Sequence, residues 1–182
     1  MENIEFYMWG GKVRYRINGQ EHVLDQKDRD IIDFVLDSLQ RYFPEALDAL
    51  SDEYADSKAN RRYYDFRRVD RFVRCNFAEA DALQMDIGGG IMHFEEVKCP
   101  MRGICRHEHK ICKPRFKVPV PEEEGKVAAL YSRGLTADEI AGVLRKSIKT
   151  VKNQLTSATK RLKLSKTRDL IKIFSIYNIT TL

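Results

Sequence analysis

An α+β fold in two parts is what this sequence predicts, and three observations predict it. Residues 4–24 alternate apolar and polar side chains around Gly10-Gly11 and Asn18-Gly19. Residues 25–76 switch to a helical period, and residues 122–176 carry four short helical patterns with tight breaks. The expected architecture is a mixed α/β N-terminal domain over 1–116, holding a β-hairpin, helices and a cysteine-rich loop. A linker over 117–121 and an all-α four-helix domain over 122–182 follow.

In the first part Asn18-Gly19 is the strongest hairpin signal, because a two-residue turn needs positive φ at its centre. Val13, Tyr15 and Ile17 share one face of a strand and Arg14 and Arg16 the other, a face read as solvated. A three-stranded meander, or a hairpin with a ragged first strand, results. Asp25 and Asp28 are placed like a cap and a first-turn acid, and Ile31, Ile32, Val35, Leu39, Tyr42 and Phe43 form an inward stripe. Pro44 ends that helix and opens the next, with Ala46, Leu47 and Leu50 on one side.

SKANRR at 57–62 reads as a loop. Beyond it a third helix turns Phe66, Val69, Phe72 and Val73 inward, with Arg67, Arg68, Arg71 and Arg74 elsewhere and Asp65 and Asp70 among them to pair with. Residues 78–90 form a polar, Gly-rich break without a phosphate-loop frame, and IMHFEEV reads as a strand leading to Cys99. Pro119 and Pro121 bracket an extended linker.

All four cysteines precede that linker: Cys75 closes a helical pattern, and Cys99, Cys105 and Cys112 fall in a loop marked by Pro100, Gly103 and Pro114. Four thiolates complete a tetrahedral zinc shell, which holds together a loop too short to bury a core. Zinc is therefore the expected cofactor, with an iron–sulfur cluster as the alternative and plain packed thiols as the bland reading. His107 and His109 are spare ligands by chemistry, but their neighbours Arg106, Glu108 and Lys110 place them on the surface.

The last third is the most specific. Val127, Leu130 and Tyr131 give its first helix a buried face that Gly134 ends. Thr136 and Glu139 have capping-box spacing ahead of Ile140, Val143 and Leu144. Ser147 then caps a third helix with Val151, Leu155 and Leu162 inward and Lys149, Thr150, Lys152, Asn153 and Lys160 outward. Two helices across a short turn, the second displaying cationic and amide side chains, match the helix-turn-helix design for entering a major groove.

At Glu139-Ile140-Ala141, Leu144, Ser147, Thr150-Val151-Lys152, the segment KRLKL at 160–164 and Asp169-Leu170, the stretch resembles the DNA-binding domain of LuxR-type transcriptional regulators. The resemblance implies a recognition helix near 148–162 whose Lys149, Thr150, Lys152, Asn153 and Gln154 approach double-stranded DNA. It also implies a homodimer on DNA, with the fourth helix around Leu170 and Phe174 as the contact. Arg145 and Lys146 stand where the family's turn usually has Gly and an aliphatic residue, and Gln154 where it commonly has His. The cysteine segments CPMRGIC and ICKPRF resemble small bacterial regulators that end in such a module. Sigma factors share the four-helix design, so a sigma-like protein binding RNA polymerase is the alternative reading.

Charge agrees with this division. The chain carries +5 overall, yet residues 117–182 hold 13 Lys+Arg against 6 Asp+Glu, while the remainder holds 19 against 21. A basic module beside a slightly acidic one suits a polyanion partner with a separate sensing or partner domain. No apolar run approaches the ~20 residues of a membrane span, and the start MENIEFYMWG is unlike a signal peptide, so the expected location is the cytoplasm. An enzyme is not expected: a metal-dependent nuclease built on His107 and His109 lacks a carboxylate-rich centre, and a four-cysteine shell leaves no open position. No doubly wound βα repeat carries a paired-acid receiver site.

Overall fold

The computed structural model describes residues 3–77, 79, 85–117 and 119–176. Val118 of the expected linker, and 78 and 80–84 of the Gly-rich break, lie outside the described residues. The chain divides into two compact units, Met1–Lys117 and Val118–Leu182. The class is mixed α+β.

The first unit opens on an antiparallel meander of β1 (Ile4–Trp9), β2 (Lys12–Ile17) and β3 (Gln20–Val23). Its turns fall where the sequence permits positive φ: Gly10 and Gly11 at 58° and 73°, Asn18 and Gly19 at 50° and 76°. The register pairs Phe6 with Tyr15 and Met8 with Val13, which puts Ile4, Phe6, Val13 and Tyr15 on a buried face. A second, very short hairpin, β4 (Ile87–Gly88) and β5 (Ile91–Met92), turns at Gly89-Gly90 and joins β1 through Ile4 and Ile87. The sheet order is β3-β2-β1-β4-β5.

Three helices follow, α1 (Arg29–Tyr42), α2 (Pro44–Glu53) and α3 (Arg61–Asn76); they pack on one another, and α3 packs on β1 and β2. Ile32, Val35, Leu39, Phe43, Ala46, Leu50, Val69 and Phe72 are fully buried. The Phe43, Phe72, Phe77 and Phe94 rings meet at centroid distances of 5.1–6.0 Å, close enough to exclude water from the helix ends. Truncating a ring such as Phe43 in this cluster costs about 3–5 kcal/mol.

Three expectations need correction here. Asp25 is not the cap of α1; Asp28 is, and its carboxylate accepts from the Asp25 N–H and the Tyr15 hydroxyl rather than from the helix. The strand expected over IMHFEEV is only Ile91–Met92, because the following residues leave the sheet and Phe94 joins the aromatic cluster. Phe66 is half-exposed, whereas Asp65 and Arg68 are buried, so α3 packs through a partly charged face.

The second unit holds α4 (Glu122–Ser132), α5 (Ala137–Leu144), α6 (Ile148–Arg161) and α7 (Asp169–Ile176). Its core is Val127, Ala128, Ile140, Val151, Ala158, Leu162, Leu170, Ile173 and Phe174. Val143, expected inward, is 61% exposed. An eight-residue helix has barely two turns, and Ile140 and Ala141 already take its inward face.

Candidate functional site

Two sets of side chains carry chemistry, one in each unit. In the first, Cys75, Cys99, Cys105 and Cys112 all line one cavity, with Arg71, Met101, Arg102, His107, Glu108 and Ile111. The sequence scatters these cysteines over 38 positions, and hydrogen bonds bring them together.

Cys75 sits in the last turn of α3, one turn beyond Arg71. Its neighbour Asn76 is fully buried and uses its whole amide: Nδ2 donates to the Ile111 carbonyl at 2.9 Å, and Oδ1 accepts from the Lys113 N–H at 2.9 Å. Those two residues flank Cys112, so a single side chain brackets it beside Cys75. The rest of the loop is a chain of turns. Arg102 N–H donates to the Cys99 carbonyl at 3.2 Å, Cys105 N–H to the Met101 carbonyl at 3.0 Å, and Glu108 N–H to the Cys105 carbonyl at 3.0 Å.

Arg102 ties the loop inward, donating from Nη2 to the Val97 carbonyl at 2.9 Å and from Nη1 to the Cys112 sulfur at 3.9 Å. Glu108 accepts from the Gly103 N–H at 2.7 Å, where φ of 85° suits glycine. His107 is not a surface residue. Its side chain is 15% exposed, lines the cavity and meets Glu53 of α2 at 2.8 Å, while Arg106 pairs with the same carboxylate. Hydrogen bonds from His107 and Arg106 hold the Glu53 carboxyl below its usual range. His109 is exposed, with φ of 60°.

All four cysteines are free. Burial pushes the Cys75 thiol up to about 11, Arg71 opposing and the other three sulfurs adding to the rise. A thiol that resists ionisation is a poor nucleophile, so catalysis by Cys75 is disfavoured. Four convergent sulfurs form a soft donor set, suited to zinc or an iron–sulfur cluster and unsuited to magnesium or calcium.

Elsewhere in this unit Glu5, Asp86 and Glu95 place carboxylate oxygens within 4.8 Å of one another, and Asp86 accepts from the Phe6 N–H at 2.6 Å. That proximity has no sequence signature, since β1, the residue before β4 and the segment after β5 meet only in three dimensions.

The second set lies on α6 and the turn before it. Thr136 and Glu139 form the expected capping box, with Thr136 N–H donating to Glu139 Oε2 at 2.7 Å. Arg145 ends α5 in the left-handed region at φ 51°, and Lys146 N–H reaches back to the Ala141 carbonyl at 2.9 Å. Ser147 caps α6 by accepting from the Thr150 N–H at 3.0 Å. With Val151, Leu155 and Ala158 inward, Lys149, Thr150, Lys152, Asn153 and Lys160 are exposed on the other side.

Gln154 differs from these. It is half-buried, and its Oε1 accepts from Lys146 Nζ at 3.2 Å, while the same Nζ pairs with Glu123 of α4 at 2.7 Å. Hydrogen bonds from Lys146 and Lys126 hold the Glu123 carboxyl at about 2. Lys146 and Gln154 are thus partners that fasten the turn to α4 and α6. Glu124 adds a second tie, accepting from Ser157 at 2.9 Å and pairing with Arg161 at 3.3 Å. Leu170 and Phe174 are buried within this unit, where α7 packs on α4, so the dimer surface placed on them is not exposed.

Comparison with protein-family models, curated proteins and solved structures gives no match. The functional reading rests on these residues.

Proposed function

We propose that the chain is a sequence-specific DNA-binding transcriptional regulator, in which α5 and α6 act as a helix-turn-helix and α6 enters the major groove. The observation that carries this is the outer side of α6. Five exposed cationic, hydroxyl and amide residues, Lys149, Thr150, Lys152, Asn153 and Lys160, stand opposite a buried stripe on a helix whose start is pinned by Ser147. Amide and lysine side chains near the start of such a helix suit base edges, and flanking lysines suit phosphates. The excess of Lys+Arg over Asp+Glu in residues 117–182 supplies the attraction to a polyanion.

The Lys146–Glu123 and Arg161–Glu124 pairs brace α6 against α4, which favours a helix that meets DNA as a rigid body. A homodimer on a two-fold operator fits this reading, with the contact on the outer side of α7, where Ile171 is 37% exposed. A sigma-like factor binding RNA polymerase is the second reading; it calls for a helical core-binding region upstream, and α1–α3 there follow a β1–β3 meander. The four cysteines are proposed as ligands of one structural metal centre in the first unit, a non-catalytic role in a cytoplasmic protein.

The test is binding of the full chain to a selected duplex and to a scrambled one across a salt series. Tighter binding of the selected site, weakening steeply with salt, is expected. Failure to bind either duplex at low salt overturns the DNA-binding reading.

A further inference from the structure

We infer that the outer face of the β1–β3 meander is a docking surface for single-stranded nucleic acid, with Trp9 as the stacking platform and Lys12 and Arg14 as the phosphate contacts. The inference stands apart from the duplex-binding reading of α6 and concerns the other unit.

The face follows from the register. Trp9 lies opposite Lys12 and Tyr7 opposite Arg14, while Arg14 in turn faces Val23 on β3 and Arg16 faces Glu21. Side chains opposite one another stand on the same side of a pleated sheet. Ile4, Phe6, Val13 and Tyr15 take the buried side, so this second set has the outer side. Trp9 is 70% exposed there and Val23 38%, with Lys12 exposed and Arg14 half-buried. The arginines alone read as a solvated face; the register adds an aromatic and an aliphatic surface beside them.

Two properties of this patch select the ligand, and the first is the indole. An exposed tryptophan on a strand of fixed register offers a flat apolar surface with only two side-chain torsions to order on binding, and any nucleobase can stack on it. The Gly10-Gly11 turn beside it leaves the approach open: no atom lies within 4 Å of where a Cβ on either glycine would stand.

The second property is charge, which is graded along the face. Arg16 is committed, pairing with Glu21 at 2.8 Å and lying 5.9 Å from the Tyr7 ring centroid. Among the described residues no carboxylate forms an ion pair with Lys12 or Arg14. The available cations therefore lie at the Trp9 end, with Lys12 across from the indole at about 5 Å between Cβ atoms. Lys12 and Arg14 stand about 7 Å apart along β2, a step comparable with that between successive phosphates of an extended strand.

A fitting ligand carries planar rings and anionic groups side by side, which is the chemistry of a nucleotide strand. An acidic peptide has the charge without the bases. A duplex does not fit, because its base faces are stacked on one another and only edges and phosphates are open. A single nucleotide has too little surface for an open face that is not a concave pocket.

The chain has one tryptophan, so its emission reports this face directly. The full chain is titrated at low salt with oligothymidylate and oligouridylate of about ten nucleotides, beside a duplex and a polyglutamate peptide of similar length. Saturable quenching of Trp9 emission by a single strand, weakening as salt rises, is expected, and the tighter strand tells DNA from RNA. Trp9→Ala should weaken binding of a labelled strand about five- to a hundredfold, and Trp9→Phe, which keeps a ring, should restore most of it. Lys12→Ala should lower the salt slope by about 0.7, the share of one phosphate on a single strand. Melting of each variant should match wild type, since both side chains are exposed. No binding of either strand, binding that leaves Trp9 emission unmoved, or equal binding to Trp9→Ala overturns the surface. Quenching by the duplex or the peptide as strong as that by a single strand overturns the stacking assignment. None of these outcomes bears on α6, whose test uses a selected duplex.

Discussion

The amide of Asn76 at the end of α3 reaches the carbonyl of Ile111, 35 residues away in sequence, at 2.9 Å, and its oxygen takes the Lys113 N–H. One buried side chain therefore sets where Cys112 lies relative to Cys75. A position that satisfies two distant backbone groups has no substitute of the same shape except aspartate, which cannot donate.

Asn76→Ala leaves a buried carbonyl and a buried N–H without their partner. The expected cost is about 2–4 kcal/mol in denaturant unfolding of the first unit, together with reduced metal content in the full chain. Asn76→Asp keeps the acceptor toward Lys113 and loses the donor toward Ile111, and falls between. Equal metal content and equal midpoints in all three proteins would remove the positioning role.

Asp65 gives a pH prediction. It is almost fully buried and meets Arg68 at 2.6 Å, Arg61 at 3.0 Å and Arg29 at 3.1 Å. Burial alone raises its pKa, but hydrogen bonds from Arg68, Arg29 and Arg61 outweigh it and the carboxyl lies below its ordinary value. A depressed folded pKa contributes stability that is complete above the unfolded value near ~4 and is lost as pH falls through the folded one. Asp65→Asn is expected to destabilise the first unit by about 3–5 kcal/mol at pH 7, because it leaves Arg68 buried without a counter-charge. The gap between wild type and variant should shrink below about pH 4, and a gap that stays constant from pH 7 to pH 3 refutes the linkage.

What could be read in the sequence divides along physical lines. The Asn18-Gly19 turn, the Thr136–Glu139 box and the Ser147 cap were legible because positive φ and unpaired helix N–H groups each demand a few residue types at fixed offsets. Val143 was misplaced because about two turns repeat each direction only about twice, too few to show which of Ile140, Ala141 and Val143 mark the inward face. The pairing of Asp65 with the arginines of its helix was legible, but the burial of Asp65 and Arg68 and the contacts of Asn76 and His107 were not, because a polar residue reads as solvated until its place in the fold is known. The convergence of the cysteines was partly legible from the Pro/Gly loop, whereas the contacts of Asn76 and Arg102 that hold the Cys112 segment were not. The β4–β5 hairpin, with two-residue strands, has too few residues to show a period.

Arg145 holds φ of 51° where a residue without Cβ pays no steric penalty. Arg145→Gly is expected to raise the stability of the second unit by up to about 1 kcal/mol in thermal unfolding. A lower midpoint for Arg145→Gly indicates instead that the arginine side chain contributes more than the strained backbone costs.

The outer side of α6 yields the prediction on which the DNA-binding reading depends most. Asn153 and Lys160 are both exposed and lie two turns apart on one helix, Asn153 in its first half and Lys160 in its last turn. If α6 lies in the major groove, the two residues meet different parts of the duplex, and their alanine variants separate the roles. Asn153→Ala should cost about 1–3 kcal/mol on a selected site and little on scrambled DNA, because a base contact discriminates sequences. Lys160→Ala should weaken both duplexes by similar factors and lower the salt slope by about one unit, because a phosphate contact releases a counterion whatever the sequence. Gln154→Ala adds a control. Its side-chain oxygen is committed to Lys146, so part of its effect should appear as loss of stability in the second unit even without DNA. Binding isotherms over a salt series, paired with melting curves of each variant, read all three. Asn153→Ala and Lys160→Ala that match wild type on both duplexes, with unchanged melting, would move the DNA contact off this side of α6.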